Sequence, residues 1–202
     1  MKLKQIAMLV AAAFASNVRG LVAFSARGAE GVNRFGADEA ANRGGTINLA
    51  KSGITKGTTS TYTTTATTVC SIRGKFATGL TAQTNTASPT TDAGNADAVF
   101  RALTDNQATV LVFGVNAAGE IKLAQGTIEP TEVGVTTTAG AFIHPPQFPA
   151  LPTDFCPLGY LLVRTAPSAA DFTPGTSNWT ATGITASAVV EVTVLPDRPQ
   201  TS

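Results

Sequence analysis

The sequence predicts an all-β fold: an antiparallel β-sandwich or jelly roll of about seven or eight strands that follows an extended N-terminal arm. Composition gives the first reason, because hydrophobic residues make up 43% and charged residues only 13% of the 202 residues. Neutral polar residues fill the gap, above all threonine, whose branched Cβ favours strands. The 19 glycines and 11 prolines divide the chain into short segments. From Thr61 onward, apolar and polar residues alternate with the period of a strand.

Residues 1–60 predict an arm and not a domain. In MKLKQIAMLVAAAFAS, Lys2 and Lys4 precede an apolar run from Ile6 to Phe14 that predicts a short helix. The following text, NVRGLVAFSARGAEGVNRFGADEAANRGG, is too rich in glycine for a stable helix and too irregular for an independent strand. We therefore expect this segment to gain order only by lying against another surface.

The charges are unevenly distributed between the arm and the rest of the chain. The whole chain carries +1, but residues 1–60 hold eight basic and three acidic side chains. A basic arm on a mildly acidic body predicts contact with an acidic partner surface, with solvation of a polar segment as the alternative. Nucleic-acid binding is disfavoured because the arginines are isolated and few aromatics lie between them. The candidate partner-binding residues are Arg19, Arg27, Arg34 and Arg43.

Residues 61–202 form the predicted β domain. TYTTTATTVCSI and KFATGL predict two strands joined by a tight turn at Arg73-Gly74, and residues 81–97 predict a polar loop. AVFRAL, QATVLVFGV and EIKLAQGTI predict three more strands. The last two should be joined by residues 116–119, Asn-Ala-Ala-Gly, as a hairpin built on a type I turn.

The C-terminal part alternates between irregular and regular segments. Five prolines between Pro145 and Pro157 predict an extended surface segment that is neither helix nor central strand. LGYLLVRT predicts a strand, and residues 166–183 predict a long structured loop. In the last strand, period two predicts Ile184, Ala186, Ala188, Val190, Val192 and Val194 toward the core and Thr185, Ser187, Glu191 and Thr193 outward.

The sequence contains no constellation of residues that predicts catalysis. His144, the single histidine, precedes two prolines and is expected to be a surface or packing residue. We expect local hydrogen bonding from five aspartates in predicted turns, with calcium binding as the alternative: Asp92, Asp97, Asp105, Asp154 and Asp171. Nothing predicts a phosphate loop, a metal centre or a cofactor, so we expect a protein that is not an enzyme.

Three further residues have two interpretations each. Cys70 and Cys156 lack metal-ligand spacing and are expected to be buried free thiols, with a disulfide as the alternative if the protein is exported. Trp179, the only tryptophan, is expected to anchor the long loop to the β domain, with an exposed contact role as the alternative. No apolar run reaches the length of about 18 residues that indicates a membrane span.

Three stretches resemble a known class of proteins. They are TTVCSIRGKFATGLTAQTNT, VFRALTDNQATVLVFGVNAAGEIKLAQGTI and FPALPTDFCPLGYLLVRTAPSAADFTPGTSNWTATGIT. Together, over about residues 61–195, they resemble the β-sandwich surface proteins of tailed-bacteriophage virions, particularly capsid decoration (cement) and head-fibre-like proteins. The chain departs from them at LVFGVN, where a glycine interrupts the expected strand.

The resemblance implies a structural virion protein without catalytic residues or cofactors. Such proteins are commonly homotrimers, so the implied partners are the major capsid protein and further copies of this chain, with no nucleic acid and no membrane. The implied location is the capsid surface, after assembly in the host cytoplasm. A head-fibre or tail-associated host-contact protein is the first alternative.

The resemblance also bears on the first residues. Ala13-Phe14-Ala15 matches the pattern before a signal-peptidase cut, so residues 1–15 alone predict a secretory signal. A protein that assembles in the host cytoplasm has no use for one, and we therefore expect a retained structural arm. The alternative from a different class is a secreted carbohydrate-binding or adhesin domain whose signal peptide has been removed.

Overall fold

The computed structural model describes residues 45–201. The predicted N-terminal helix lies outside this range. Nearly all regular structure in residues 45–201 is β, which confirms the predicted fold class at this level. The strands are β1 (Ile47–Asn48), β2 (Thr55–Lys56), β3 (Thr61–Thr64), β4 (Cys70–Ile72), β5 (Lys75–Phe76), β6 (Gln83–Ala87), β7 (Thr91–Asp92), β8 (Ala98–Val99), β9 (Gln107–Val115), β10 (Ile121–Pro130), β11 (Cys156–Thr165), β12 (Ile184–Ala186) and β13 (Val190–Glu191). One 3₁₀ turn, Ala93–Asn95, lies between β7 and β8.

The strands are arranged in one large and two small sheets. The large sheet has the order β12-β11-β9-β10-β7-β8, and β13 also pairs with β11. All of its pairs are antiparallel except that between β10 and β7. The small sheets have the orders β1-β4-β5 and β2-β3-β6. β1 and β2, which fall within the predicted arm of residues 1–60, pair with strands β4 and β3 of these small sheets.

The hairpin of β9 and β10 lies in the middle of the large sheet, and both strands begin and end close to the predicted positions. Its loop closes through hydrogen bonds from Gly119 N to Asn116 O and from Asn116 N to Glu120 O, both 3.0 Å long. Gly119 has φ +81°, a conformation that glycine adopts without a Cβ clash. Gly114 does not interrupt β9, since it pairs with both Lys122 and Pro157.

The central strands are buried on both faces, as their continuous apolar runs require. One face of the large sheet contributes Phe113 and Cys156 to a large apolar cluster. The small sheets add Tyr62 and Cys70 to this cluster, and the long loop adds Trp179. The opposite face contributes to a smaller cluster around Val110, Val112 and Tyr160. The proline-rich segment and the C-terminal residues supply the partly buried cover of that second face: Phe148, Leu151, Val192 and Leu195.

Residues 61–72 form two strands in different sheets, where the sequence predicts one. The break begins at Thr65, where Thr65 N and Ala66 N both donate to Ser52 O instead of to a neighbouring strand. The tight turn after β4 is confirmed. Arg73 and Gly74 both have positive φ, at 52° and 75°, as a two-residue hairpin of type I′ requires.

Residues 81–97 contain β6, β7 and the 3₁₀ turn, so the prediction of a polar loop is wrong. The threonines of β3 explain β6, because Gln83 N donates to Thr64 Oγ1 and Asn85 N to Thr63 Oγ1. Side-chain hydroxyls thus hold a strand that buries little surface. Asp92 begins the 3₁₀ turn by accepting a 2.9 Å hydrogen bond from Gly94 N.

The final strand is divided at Ser187. The Ser187 hydroxyl accepts from Leu162 N and donates to Ala188 O, which ends β12. Val189 and Val190 then pack on opposite faces of the sheet, so the inward positions shift by one residue. The predictions that Ala188 and Val194 face the core are therefore wrong, and both are exposed.

Residues 145–154 of the proline-rich segment form neither helix nor strand, as predicted, and half of them are exposed. Its last residues differ from the prediction, because Cys156 and Pro157 begin the central strand β11. The register with β9 shifts between Pro157 and Gly159. Such an irregularity accommodates a residue that cannot donate a backbone hydrogen bond.

Candidate partner-binding surface

The four arginines predicted to bind a partner, Arg19, Arg27, Arg34 and Arg43, lie outside the described residues. Their predicted role stays a prediction. The described part of the chain presents a different candidate surface, which the sequence did not predict.

This surface is a short, irregular β-hairpin formed by residues 131–143, which we call the ribbon. It follows β10, and isolated bridges pair Thr131 with Phe142 and Val135 with Thr138. Glu132 N donates to Ala141 O at 2.9 Å, and Val135 and Thr138 exchange two backbone hydrogen bonds of 3.0 and 2.9 Å. The tip is therefore closed by Thr136 and Thr137.

The ribbon exposes aliphatic side chains. Val133 is 81% exposed, Val135 68% and Ile143 51%. Isolated apolar residues on a surface are ordinary. Val133 and Val135 lie two positions apart and therefore share one face of the ribbon, while the bridge between Thr131 and Phe142 places Ile143 on the other face. Exposed apolar side chains grouped on one face are typical of a surface that a partner covers. The acidic Glu132 lies beside them.

Contacts at the base hold the ribbon in place. The Arg164 guanidinium donates to Gly140 O at 2.8 Å and stacks 4.9 Å from the centre of the Phe142 ring. Asn106 contributes twice: its carbonyl accepts from Thr131 N at 2.8 Å and its side-chain oxygen from Gly134 N at 3.3 Å. Binding to this surface would therefore lose little conformational entropy.

Glycines allow the two halves of the ribbon to approach. A Cβ at Gly140 would lie 1.9 Å from Glu132 O, and one at Gly134 would lie 2.1 Å from Thr138 O. The text VGVTTTAG, in which two glycines flank a short threonine run, is the signal that could have predicted this hairpin.

A second apolar patch lies where the C-terminal segment meets the first strand. Leu49 N donates to Val69 O at 2.8 Å, and Asn48 N donates to Thr193 O at 3.0 Å. Leu49 is 50% exposed, and Val69 and Val194 are each 41% exposed. The side chains of this patch are less exposed than those of the ribbon.

The histidine and the aspartates that the sequence analysis considered for catalysis or calcium binding lie in the following environments. His144 is exposed on the proline-rich segment. Asp92 Oδ1 accepts from Gly94 N at 2.9 Å, which confirms local hydrogen bonding for this aspartate. The same oxygen also accepts from Gln125 N at 3.0 Å, a bond to a distant strand that the sequence does not predict. Asp97 lies 3.7 Å from Lys122, at a cleft of about 360 Å³ that Asp154 also lines. Within residues 45–201, no group of three or more His, Cys, Asp or Glu side chains could hold a metal ion.

Cys70 and Cys156 are free thiols and buried, as predicted. Both side chains lie in the large apolar cluster, where Cys70 Sγ donates to Asn48 Oδ1 and Cys156 Sγ donates to Pro157 O, each at 3.9 Å. Interaction with Cys156 lowers the pKa of the Cys70 thiol. Interaction with Cys70 and burial raise the pKa of the Cys156 thiol.

Trp179 anchors the long loop, as predicted. Its side chain is 1% exposed, and Nε1 donates a 3.0 Å hydrogen bond to Thr61 O. The ring packs against Phe172 and Phe113, at centroid distances of 5.5 and 6.4 Å. The alternative role as an exposed contact residue is excluded.

Comparison of the chain with protein-family models, with curated proteins and with solved structures found no match. In the described range, no helix has the length and apolar character needed to cross a membrane.

Proposed function

We propose that this chain is a structural virion protein, a capsid decoration (cement) protein that binds the outside of a phage head and stabilises contacts between capsomers. Its partners are the major capsid protein and two further copies of itself, and its sheets form a sandwich or jelly roll. The similarity of residues 61–195 to virion surface proteins supports this role. The observation that carries it is the ribbon, on which Val133 and Val135 are 81% and 68% exposed.

The features of the ribbon suit a protein that binds through contact area. Its backbone is held by hydrogen bonds from Arg164 to Gly140 O and from Gly134 N to the Asn106 side chain. Burial of the exposed aliphatic side chains against a neighbouring subunit would stabilise the complex by about 25 cal/mol for each Å² of apolar surface removed from water. A single ribbon supplies little energy, but many copies on one shell act together. A ligand that binds the assembled shell and not its separated subunits stabilises the shell by mass action.

The arm completes the proposal. Arg19, Arg27, Arg34 and Arg43 contact acidic surface on the shell, while the ribbon contacts a neighbouring protein subunit. Retention of residues 1–15 belongs to the same proposal, because the protein assembles in the host cytoplasm and occupies the capsid surface. The role requires no catalysis and no cofactor.

Two alternatives stand beside this proposal. A head-fibre or tail-associated protein would use the same contacts at another place on the virion. A secreted carbohydrate-binding or adhesin domain would need exposed aromatic rings to stack on sugars. In the described part of the chain, Phe76 is the one aromatic side chain among the strongly exposed hydrophobic residues, at 80% exposure, and Trp179 is buried. This observation favours the virion role over sugar binding.

The test is the location of the native protein. Antibodies against residues 43–202 are applied to density-gradient fractions of lysates and medium from a culture that carries the gene. The proposal predicts full-length protein in the particle fraction, at a fixed ratio to the major capsid protein, with immunogold label on heads. Label on tails or fibres supports the first alternative. Soluble protein that begins at Ser16 in the medium supports the second and contradicts the proposal.

The role of the ribbon is tested with a matched pair of variants. Val133→Asp combined with Val135→Asp places two charges in the contact and should abolish incorporation into particles. Thr136→Asp combined with Thr137→Asp adds the same charges at the exposed tip of the same ribbon and should be tolerated. Equal incorporation of both variants would exclude the valines as the contact.

A further inference from the structure

The hairpin of β4 and β5 presents an exposed aromatic ring beside basic side chains. Phe76, on β5, is 80% exposed, and Val133 on the ribbon is 81% exposed. Among the described residues, these are the two most exposed large hydrophobic side chains. Arg73 and Lys75, on either side of Gly74, are also exposed. An apolar ring with two cations beside it fits a partner surface that is apolar and acidic.

The ribbon has the complementary charge. Glu132 is exposed directly before Val133, and the ribbon contains no lysine or arginine. Asp105 is exposed beside Asn106, the residue that holds the base of the ribbon. The guanidinium at that base, from Arg164, is half-buried and engaged with ribbon groups. The exposed part of the ribbon is therefore apolar and acidic, where the β4–β5 hairpin is apolar and basic.

The backbones of the two surfaces also match. β5 is the edge strand of its sheet, and Ala77 N donates to Cys70 O at 2.9 Å. Because alternate residues of an antiparallel strand direct their backbone groups to opposite sides, the N–H and C=O of Phe76 point away from β4. The backbone of Val133 forms no hydrogen bond with any residue in the range 45–201. Each surface thus offers a backbone position at which another strand can be added.

Side-chain alternation makes one pairing of these strands fit. With Val133 beside Phe76 on one face, the preceding residues Glu132 and Lys75 both lie on the other face, for either strand direction. The two charged side chains are then neighbours, directly or on the diagonal, and opposite charges in such positions attract. One register therefore joins the most exposed apolar side chains and a pair of opposite charges.

Within one chain these two surfaces lie at opposite ends of the β9–β10 hairpin. Thr78 N donates to Ala117 O at 3.1 Å, which places the end of β5 beside the loop of that hairpin. The ribbon follows Pro130, at the other end. The nine residues of β9 span about 25 Å at about 3.3 Å per residue. The contact therefore requires two copies of the chain.

We propose that the ribbon of one copy binds the β4–β5 hairpin of the next copy, and that three copies close into a ring. The number three rests on the proposed function, and the new element is the pair of surfaces that join the copies. In each contact, Val133 packs against Phe76 and Glu132 pairs with Lys75. Because the two surfaces differ, each copy keeps one of them for the next neighbour, and such a head-to-tail contact forms a ring when its rotation closes.

The first experiment measures the mass of the purified full chain by analytical ultracentrifugation at several concentrations, without capsid particles. The wild-type protein should sediment as three chains, and Phe76→Asp should sediment as one. Val99→Asp is the matched control, because Val99 is 77% exposed on β8, the edge strand of the large sheet. This control should remain trimeric. A wild-type monomer at every concentration, an open polymer, or an equal loss in Val99→Asp would overturn the proposal.

The second experiment tests that the contact joins two different surfaces. The combined variant Val133→Asp with Val135→Asp keeps its β4–β5 hairpin, and Phe76→Asp keeps its ribbon. Each variant alone should be monomeric, and an equal mixture should form a complex of one copy of each and nothing larger. Self-association of either variant, or a mixture that stays monomeric, would overturn the head-to-tail contact.

The third experiment exchanges the charges. Lys75→Glu and Glu132→Lys each place two like charges together and should raise the dissociation constant about tenfold. The double variant restores an opposite pair and should recover most of the loss. A double variant as weak as the sum of the single ones would overturn the pairing. These results are separate from the particle-fraction test, since a protein found on phage heads that is monomeric in solution would keep the proposed function and reject this inference.

Discussion

The Glu191 carboxylate accepts a 2.6 Å hydrogen bond from the backbone amide of Gly53. The same oxygen, Oε1, also accepts from Ile54 N at 3.2 Å and from the Ser52 hydroxyl at 3.3 Å. One side chain on β13 thereby satisfies the backbone of the segment before β2, which belongs to another sheet. Strand alternation places Glu191 outward, and the structure shows that the outward side is covered by residues 52–54.

Removal of this carboxylate should destabilise the protein. Glu191→Ala leaves two backbone amides without their acceptor, and hydrogen bonds to charged groups contribute about 2 kcal/mol, so we expect a loss of that size. Glu191→Gln keeps one carbonyl oxygen and should lose about half as much. Urea denaturation followed by circular dichroism measures both. Glu132→Ala, at an exposed position, is the control, and an equal effect there would contradict the assignment.

The sequence predicts local features of this fold well and non-local ones poorly. The β9–β10 hairpin was predicted nearly to the residue, because its alternation and its Asn116–Gly119 turn are encoded within one short segment. The shift at Ser187 was not predicted, since it depends on the amide of Leu162. Alternation along a strand predicts which residues share one face of a sheet. It does not predict which other segment covers that face, as residues 52–54 cover Glu191.

The ribbon is another feature that depends on contacts between residues distant in sequence. The ribbon was missed because Val133 and Val135 are separated from Ile143 by glycines and threonines that give no clear period. Its shape depends on Arg164 and Asn106, which are distant in sequence. The sequence does predict the burial of Trp179 and of the two thiols, because large apolar and thiol side chains are commonly buried.

The indole of Trp179 should contribute more to stability than the neighbouring surface hydrogen bond. Trp179→Ala removes a fully buried ring and should cost about 3–5 kcal/mol, while Trp179→Phe should cost about 1–2 kcal/mol through loss of volume and of the bond to Thr61 O. Circular dichroism is the suitable probe, because these variants remove the only tryptophan.

The control is Thr180→Val. Thr180 Oγ1 donates to Thr58 O at 2.8 Å, so it connects the same loop to the same segment from an exposed position. Its removal should change the free energy of unfolding by at most about 0.5 kcal/mol. If Trp179→Ala were no more destabilising than Thr180→Val, the loop would not depend on the buried ring.

Alanine substitutions at Gly114 and Gly74 should destabilise the protein for different reasons, steric overlap at Gly114 and an unfavourable backbone conformation at Gly74. A Cβ at Gly114 would lie 2.3 Å from Phe155 Cε1 and 2.5 Å from Cys156 O, so Gly114→Ala should cost about 2–3 kcal/mol through overpacking. Gly74 has φ +75° but nothing within 4 Å of a Cβ, so Gly74→Ala should cost about 1 kcal/mol. Thermal unfolding of both variants measures the difference. A larger loss at Gly74 would mean that turn conformation, and not close packing at β9, is the stronger constraint.

Tyr62 should make the protein less stable at alkaline pH. Burial raises the pKa of Tyr62 above its usual value of 10.0. Below about pH 10 both folded and unfolded chains keep the phenolic proton, and this group does not make stability depend on pH. Above that pH the unfolded chain releases the proton first, so it binds fewer protons than the folded chain and stability falls as pH rises.

The Tyr62 and Phe113 rings lie 6.1 Å apart between centroids. The variant Tyr62→Phe keeps a ring at this position and removes the titrating hydroxyl. Denaturation between about pH 8 and about pH 11 should therefore show a steeper decline for the wild-type protein than for Tyr62→Phe, and parallel curves would mean that Tyr62 is not the buried group that responds.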